Sequence, residues 1–247
     1  ILILTKGLAL YKNKFEVLSE KMKRILGKTL SKKINISVAG GPCLAKGLAN
    51  RMHTSVVYAN SNVKFVSKLA NLLSTDYYHI FITKDVIGVQ VCAAIKNIFS
   101  MAIGASLGLC KTTSARKIRE KNYLNTSAGL VQQSIFEMIT VTEGLKGKKE
   151  TVLGLAGIGD LYVSATGGRN SKMGEYLSQG LSFREAKKSK MPKDTVEGAD
   201  LAKEIGPKVI KDFKIKLVPL MSSMINTICF EKKLEINWKL FNPKKYS

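Results

Sequence analysis

Apolar residues in the first third of the chain concentrate in short β-rich runs, and helix-spaced apolar positions fall between these runs. The β-rich runs cover residues 1–4, 35–39, 55–59 and 77–83, and helical spacing covers residues 15–28 and 63–73. Strands that alternate with helices in this way are typical of a partly parallel sheet with helices on its faces. The pattern therefore predicts an α/β arrangement for residues 1–85.

After Asp85 the pattern becomes helical. Residues 86–109 carry apolar or small side chains almost all round, which predicts a buried helix whose polar interruption is Lys96-Asn97. Further helices or turns are predicted at residues 128–143, 153–163, 173–177, 183–188, 195–204 and 217–230. The predicted fold class is thus α/β followed by all-α, with an all-helical second domain at residues 86–247.

The composition, with 45% apolar and 23% charged residues, is ordinary for a soluble enzyme and argues against a disordered chain. The four cysteines lie far apart, so neither a disulfide framework nor a zinc site is indicated. The two histidines, His53 and His79, lie in strand-like surroundings, so we interpret each as structural and not as part of a metal cluster or a Ser-His-Asp triad. No uninterrupted apolar run reaches the roughly 18 residues of a membrane-spanning helix, so we expect no membrane insertion and a cytoplasmic protein.

The formal net charge of +22 raises the question of a nucleic-acid partner. The lysines are spread along the chain, however, without recognition-motif spacing or interleaved aromatic residues. We therefore expect no nucleic-acid partner, and we interpret the basic surface as a field that favours anionic ligands.

Lys96 lies in the middle of the apolar helix predicted at residues 86–109. A buried ammonium there costs several kcal/mol unless it is paired or loses its proton, and desolvation lowers a lysine pKa toward the range useful in acid–base catalysis. The alternative is that the side chain extends along one helix face to solvent. Asn97, a second polar residue beside it, favours the wall of a pocket.

The glycine-rich stretch at residues 154–174 places a carboxylate, a guanidinium and an amide close together in sequence, a set that suits a small anion. Gly168, Arg169 and Asn170 precede the predicted helix 173–177, where backbone N–H groups and a guanidinium together suit a phosphate monoester. The alternative is a turn with a solvated arginine. Asp160 in the same stretch is either a ligand-binding carboxylate or the N-cap of a helix.

Lys6 follows the opening strand, which places it beyond the carboxyl end of a sheet strand, the usual ligand side of open α/β folds. The Gly40-Gly41-Pro42-Cys43-Leu44-Ala45 run, the Lys96-Asn97 pair, Gly159-Asp160-Leu161 and Gly168-Arg169-Asn170 occur in an order that resembles the NAD(P)-dependent glycerol-3-phosphate dehydrogenases. Asn125-Thr126-Ser127-Ala128 and Glu197-Gly198 resemble further segments of that family.

This resemblance implies that residues 1–85 are the remaining part of an NAD(P)-binding Rossmann-type domain. It implies that residues 86–247 are a helical catalytic domain of the type found at the C-terminus of 6-phosphogluconate dehydrogenase. The implied activity interconverts glycerol 3-phosphate and dihydroxyacetone phosphate by hydride transfer, for glycerophospholipid synthesis. The implied cofactor is NAD or NADP, without a preference that the sequence reveals, and a homodimer is left open.

The resemblance also assigns roles to residues. Lys96 is the implied catalytic acid or base on the C2 oxygen, and Asp160 binds substrate and orients that lysine. The implied substrate-binding set is Lys6, Gly41, Cys43, Lys96, Asp160, Gly168, Arg169 and Asn170, and the implied cofactor-binding set is Lys6, Ala45, Arg169, Thr195 and Glu197. Read without the resemblance, Glu197 is a residue favoured in the first turn of a helix.

The sequence departs from the family pattern in three respects. Cys43 replaces the usual hydroxyl residue, and a thiol is a poorer hydrogen-bond donor. Gln132 and Gln133 stand where basic residues are frequent. No strand is followed by G-x-G-x-x-G, so we expect that fingerprint to lie before Ile1 and the chain to be inactive unless the missing unit is supplied.

Two other interpretations stay open from the sequence. One is another two-domain dehydrogenase that acts on a hydroxy acid or a sugar acid. The other is a truncated, non-catalytic remnant that binds a phosphorylated metabolite.

Overall fold

The computed structural model describes residues 1–112 and 123–241, which form two compact units. The first unit comprises Ile1–Ala94 and Val141–Tyr162, and the second comprises Ile95–Thr140 and Val163–Ser247. Each compact unit combines two separate segments of the sequence. The predicted domain boundary between residues 85 and 86 therefore stays a prediction.

The strands and the surrounding helices of the first unit follow the predicted alternation. The elements are β1 (Leu2–Ile3), β2 (Leu8–Tyr11), β3 (Lys14–Val17), α1 (Leu18–Ser31), β4 (Ser37–Gly40), α2 (Ala45–Ala49), β5 (Thr54–Ala59), α3 (Val63–Leu73) and β6 (Tyr78–Thr83). The main sheet has the order β1-β4-β5-β6, in which β1 and β4 are parallel, β4 and β5 antiparallel, and β5 and β6 parallel. The predicted partly parallel sheet is therefore confirmed.

The core of this sheet is formed by the alternating side chains of β5. Val56 and Tyr58 point to one face and pack with Val66 of α3. Asn62 caps α3, since its side-chain oxygen accepts from the N–H of Phe65 at 3.1 Å. This cap explains why the helix predicted at residues 63–73 begins where the pattern indicated.

A β-hairpin that the pattern did not predict precedes α1. β2 and β3 pair around Lys12 and Asn13, which adopt φ of 45° and 59°, as a two-residue type I′ turn requires. The prediction of a helix at residues 15–28 was therefore wrong for its first three residues, which belong to β3. The remaining helix is kinked at Gly27, whose φ is 74°.

The remainder of the described chain is helical. It consists of α4 (Val86–Thr112), α5 (Tyr123–Gly144), α6 (Lys149–Leu153), a π-helical turn (Leu155–Gly159), α7 (Asp160–Ala165), α8 (Arg169–Ser178), α9 (Phe183–Ser189), α10 (Glu197–Asp212), a 3₁₀ turn (Ile215–Leu217), α11 (Pro219–Cys229) and a 3₁₀ turn (Trp238–Leu240). The segment predicted at 153–163 is thus divided into three pieces. α8 begins at Arg169, four residues earlier than predicted, because Gly168 is its N-cap.

The α4 helix is the longest of these and the most apolar. By length and composition its stretch Val86–Lys111 could cross a membrane, but 83% of the most apolar part is buried inside the protein. Burial of that extent is typical of a core helix.

Glycines allow the helices of the second unit to approach α4 closely. A β-carbon at Gly104 would lie 2.0 Å from the carbonyl oxygen of Ser171, and one at Gly174 would lie 1.8 Å from that of Met101. The backbones of α4 and α8 are therefore in direct contact. At the start of α10, a β-carbon at Gly198 would lie 2.5 Å from the carbonyl oxygen of Asn97.

A buried carboxylate in the second unit caps the start of a helix. Glu137 of α5 accepts from the N–H groups of Leu220 and Met221 at 2.7 Å each, and so it caps the N-terminus of α11. Gln133 donates to the same carboxylate at 2.7 Å. One of the two glutamines that depart from the family pattern thus has a structural partner.

Candidate functional site

The first unit brings Lys6 and Asp160 together. The ammonium of Lys6 donates to the carboxylate of Asp160 at 2.6 Å, and the aspartate side chain is only 3% exposed whereas the lysine is 33% exposed. Lys6 follows the end of β1, and Asp160 is the first residue of α7. The buried anion is thus balanced by a cation that still reaches the surface.

The backbone around this pair is shaped by glycines. Gly41 has a φ of 105°, and a β-carbon there would lie 3.3 Å from the Cα of Val56. Gly157 in the π-helical turn lies so close to the carbonyl of Val152 that a β-carbon would be 2.0 Å from its oxygen. These close approaches fix the loop after β4 and the start of α7, on which Asp160 lies.

Cys43 lies in the same loop and is exposed. Partial burial of its thiol raises the pKa above the ordinary value; the positive charge of Lys6 lowers it and the negative charge of Asp160 raises it. The thiol therefore stays protonated at neutral pH. The charges of both members of the ion pair therefore act on the thiol, and the substrate contact that the resemblance implies for Cys43 stays a prediction.

Asp85 is a buried carboxylate whose role was not predicted from the sequence. One oxygen accepts from the N–H of Gly88 at 2.9 Å, and the other accepts from the N–H of Lys148 at 2.8 Å and the hydroxyl of Thr151 at 2.6 Å. The side chain therefore caps α4 and ties its start to α6, which leads into the π-helical turn before Asp160. An Asp directly before an apolar helix was the signal available in the sequence.

The second unit contains the buried Lys96, which is 5% exposed. Its ammonium donates to the hydroxyl of Ser164 at 2.5 Å, and the carbonyl of Ser164 accepts from the hydroxyl of Ser100 at 2.6 Å. Lys96 therefore does not extend to solvent, which decides between the two sequence-based alternatives. Ser164 was missed, and no motif in the sequence singles it out.

A polar network surrounds Asn97 and Asn170. The amide of Asn170 donates to the side-chain oxygen of Asn97 and to the carboxylate of Glu197 at 3.3 Å each, and its oxygen accepts from the N–H of Gly198 at 2.9 Å. The guanidinium of Arg169 forms an ion pair with Glu197. Asn170 is buried, whereas Arg169 and Glu197 are half-exposed, with side chains 51% and 42% exposed.

The N-terminus of α8 holds Arg169 and Asn170 in its first turn. Gly167 adopts a φ of 122°, and Gly168 carries no side chain that could cap the helix. The first N–H groups of α8 and the guanidinium of Arg169 consequently suit an anion, and the predicted phosphate contact there stays a prediction.

The predicted site residues therefore form two groups. Lys6, Gly41, Cys43 and Asp160 lie in the first unit; Lys96, Gly168, Arg169, Asn170 and Glu197 lie in the second. Ala45 is the exposed first residue of α2, and Thr195 is exposed just before α10. Within the described ranges, no group of three or more His, Cys, Asp or Glu side chains could hold a metal ion.

The residues present fit one part of a dinucleotide cofactor. Arg169 presents a partly exposed guanidinium beside an uncapped helix N-terminus, which is the donor set that a ribose phosphate or a substrate phosphate requires. These 247 residues contain no glycine fingerprint for a pyrophosphate.

An α/β unit combined with a helical unit is the fold of solved glycerol-3-phosphate dehydrogenases. The structure from Plasmodium falciparum aligns with a TM-score of 0.78 at 18% identity, covering 98% of this chain and 65% of that one. The structure from Coxiella burnetii aligns with a TM-score of 0.72 at 26% identity, covering 94% of this chain and 65% of that one. The predicted fold class is confirmed.

Residues 85–237 match the family described as NAD-dependent glycerol-3-phosphate dehydrogenase C-terminus. The chain belongs to this family, since the match covers more than half of its residues.

Curated relatives are similar over shorter lengths. The NADP(+)-dependent glycerol-3-phosphate dehydrogenase of Archaeoglobus fulgidus is 33% identical over 75% of this chain and 53% of its own length. The glycerol-3-phosphate dehydrogenase [NAD(P)+] of Clostridium tetani is 34% identical over 61% of this chain and 41% of its own length. This chain therefore spans about half the length of the curated relatives it matches.

Proposed function

We propose that this chain supplies the catalytic and phosphate-binding residues of an NAD(P)-dependent sn-glycerol-3-phosphate dehydrogenase. The observation that carries the proposal is the buried Lys96, on a helix of the matched family region, whose ammonium donates to a side-chain hydroxyl. A hydroxyl oxygen of substrate is an equivalent acceptor. Family membership and the relatives' names support the same reaction.

Lys96 is proposed to move the proton of the reaction. When glycerol 3-phosphate is oxidised, neutral Lys96 Nζ takes the proton of the C2 hydroxyl while a hydride leaves C2, and a ketone remains. The bound NAD or NADP supplies the hydride acceptor. In the reductive direction, the Lys96 ammonium returns a proton to the C2 oxygen of dihydroxyacetone phosphate.

The remaining residues are proposed to bind and orient. Arg169 and the first N–H groups of α8 hold phosphate oxygens, and Asn170 fixes the start of α10 through Gly198. Asp160 accepts a substrate hydroxyl, with its charge held in place by Lys6. Gly41, Cys43 and Gly168 approach substrate through backbone or thiol, and Ala45, Thr195 and Glu197 contact the cofactor.

The test is oxidation of NADH and NADPH at 340 nm that depends on dihydroxyacetone phosphate. It compares the 247-residue chain with a fusion that adds the part of the Coxiella burnetii relative that this chain does not cover. We expect turnover by the fusion, a fall of about a thousandfold or more in the Lys96→Met fusion because proton transfer is lost, and no change in the exposed Lys172→Ala fusion.

A folded fusion that oxidises neither NADH nor NADPH would contradict the dehydrogenase function. It would support the interpretation of the chain as a non-catalytic remnant that binds a phosphorylated metabolite. Turnover of hydroxy acids or sugar acids in preference to dihydroxyacetone phosphate would support the other dehydrogenase class. A role in glycerophospholipid synthesis and a cytoplasmic location belong to the same proposal, and a homodimer is left open. Sedimentation analysis of the fusion tests the last of these.

A further inference from the structure

The second unit contains a cavity of about 760 Å³ that shares no residue with the candidate site. It lies between α9, the middle of α10 and the end of α11. Cavities of this size commonly hold small organic ligands. The side chains that line it combine two features, a group of cations and an apolar floor.

The cations come mainly from one helix. Arg184, Lys187 and Lys188 are spaced i, i+3 and i+4 on α9 and therefore lie on one side of it. Lys203 of α10 lines the same cavity, and the lining carboxylate is Glu231, 4.0 Å from Arg184. Four cations against one carboxylate favour a ligand with several negative charges.

The floor of the cavity is aromatic. Phe183 is buried, and the ammonium of Lys203 lies 4.4 Å from the centre of its ring. Phe230, directly after α11, is 52% exposed. An exposed phenyl ring beside a group of cations is unfavourable surface in water but a good stacking platform for a planar ligand.

The walls of the cavity are held in place. Lys187 donates to the carbonyls of Met191 and Pro192 at 2.9 and 3.2 Å, which fixes its ammonium. Glu231 has a φ of 52°, a left-handed conformation that is unfavourable for a residue other than glycine, asparagine or aspartate. This conformation ends α11 and turns the chain at Phe230, so backbone strain is stored at the edge of the cavity.

We propose that this cavity binds a nucleoside polyphosphate, with the base against Phe230 and the phosphates on Arg184, Lys187 and Lys188. A fatty acid carries one negative charge and would leave most of the cations unmatched. Inorganic phosphate would leave the phenyl ring in water. A nucleoside polyphosphate satisfies both features, since it joins a planar base to several phosphate charges.

The experiment is isothermal titration of the 247-residue chain with ADP, compared with inorganic pyrophosphate and with adenosine. We expect ADP to bind at least tenfold more tightly than either comparator, because each of them retains only one half of the recognition. Phe230→Ala is expected to weaken ADP binding about tenfold, through loss of base stacking. Arg184→Ala is expected to weaken it about tenfold through loss of a charge-assisted bond.

Two controls separate this site from others. Lys190→Ala removes an exposed charge near α9 that does not line the cavity, and we expect no change in ADP binding. Arg169→Ala removes the candidate phosphate site, and we expect the ADP binding that depends on Phe230 and Arg184 to persist in this variant, so the result does not depend on the proposed function. Circular dichroism spectra of Phe230→Ala and Arg184→Ala are compared with that of the unaltered chain, and matching spectra would establish that both variants are folded.

Three results would overturn the proposal. The first is equal affinity for pyrophosphate and ADP, which would indicate an anion patch alone. The second is ADP binding that Arg169→Ala abolishes. The third is no binding of ADP at millimolar concentration.

Discussion

The ammonium of Lys6 lies 2.6 Å from the carboxylate of Asp160, although the two residues are 154 positions apart in the sequence. The carboxylate is almost completely buried and the lysine is one-third exposed. Solvent therefore screens the pair in part, and its net contribution to stability is smaller than that of a fully buried pair.

We expect a double-mutant cycle of Lys6→Met and Asp160→Asn to give a coupling free energy of about 1 kcal/mol. The measurement is urea unfolding of the chain, its two single variants and the double variant. The cycle isolates the contact from other interactions of either side chain. A coupling free energy indistinguishable from zero would show that the two side chains do not stabilise each other in solution.

The contact between α4 and α8 gives a sharper prediction for stability. At Gly174, a β-carbon would lie 1.8 Å from a backbone oxygen, and backbone cannot move aside as a flexible side chain does. We expect Gly174→Ala to lower the free energy of unfolding by about 3 kcal/mol or more, or to prevent folding.

Gly47→Ala is the matched control. Gly47 lies in α2, has open space around its Cα, and does not adopt a positive φ. Alanine there is expected to be neutral or to stabilise the protein by up to about 1 kcal/mol, through helix propensity. Similar losses for both variants would show that glycine is needed for chain flexibility and not for the close approach.

Single-sequence patterns predicted some elements of this chain and missed others. The helix at residues 63–73 was predicted from its apolar periodicity with its observed bounds, and the structure adds the Asn62 cap at its start. The β2–β3 hairpin was missed because its turn is Lys12-Asn13 and lacks the glycine that usually marks a type I′ turn. A helix with clear apolar periodicity was thus predicted correctly, whereas a turn without its usual glycine was missed.

The arrangement of the candidate site could not be predicted from local sequence patterns alone. The buried position of Lys96 was one of two alternatives that the helix pattern allowed, and packing decided between them. The hydroxyl of Ser164 on Lys96 depends on tertiary contacts between residues 68 positions apart. The roles assigned to Ala45, Thr195 and Glu197 come from the family resemblance and stay predictions.

Cys43 offers a prediction about substrate affinity. A hydroxyl donates a stronger hydrogen bond than a thiol, and the family usually has a hydroxyl residue at this position. We expect Cys43→Ser to lower the Kd for dihydroxyacetone phosphate about threefold, as one additional modest hydrogen bond would. The measurement is isothermal titration, and Cys229→Ser is the control, since Cys229 lies outside the candidate site. A Kd that does not change would mean that residue 43 does not contact substrate.

The raised pKa of the buried Cys92 thiol leads us to expect a particular pH dependence of stability. Burial raises the pKa of this thiol to about 12, whereas a cysteine in the unfolded chain titrates near its ordinary value of about 8.5. Between these two values the unfolded chain loses a proton that the folded chain keeps, so this group's contribution to stability falls as pH rises. It is fully present below about pH 8.

We expect the free energy of unfolding to fall with pH more steeply in the unaltered chain than in Cys92→Ala, by up to about 1.4 kcal/mol per pH unit above pH 9. Urea unfolding at pH 8, 9, 10 and 11 measures both slopes. The smaller side chain lowers stability at every pH, so the difference in slope is the relevant quantity. Parallel slopes would show that the thiol is not buried in solution.

The last prediction concerns phosphate affinity and rests on the ion pair between Arg169 and Glu197. Glu197 neutralises the guanidinium that is proposed to hold phosphate, and both side chains are half-exposed. An incoming phosphate must therefore compete with the carboxylate. We expect Glu197→Gln to tighten binding of inorganic phosphate about threefold, and Arg169→Lys to weaken it about tenfold because the planar fork is lost. Titration at low ionic strength measures both, with the exposed Glu204→Gln as the control for net charge. If Glu197→Gln and Glu204→Gln tighten binding equally, the effect is one of overall charge and Glu197 does not restrain Arg169.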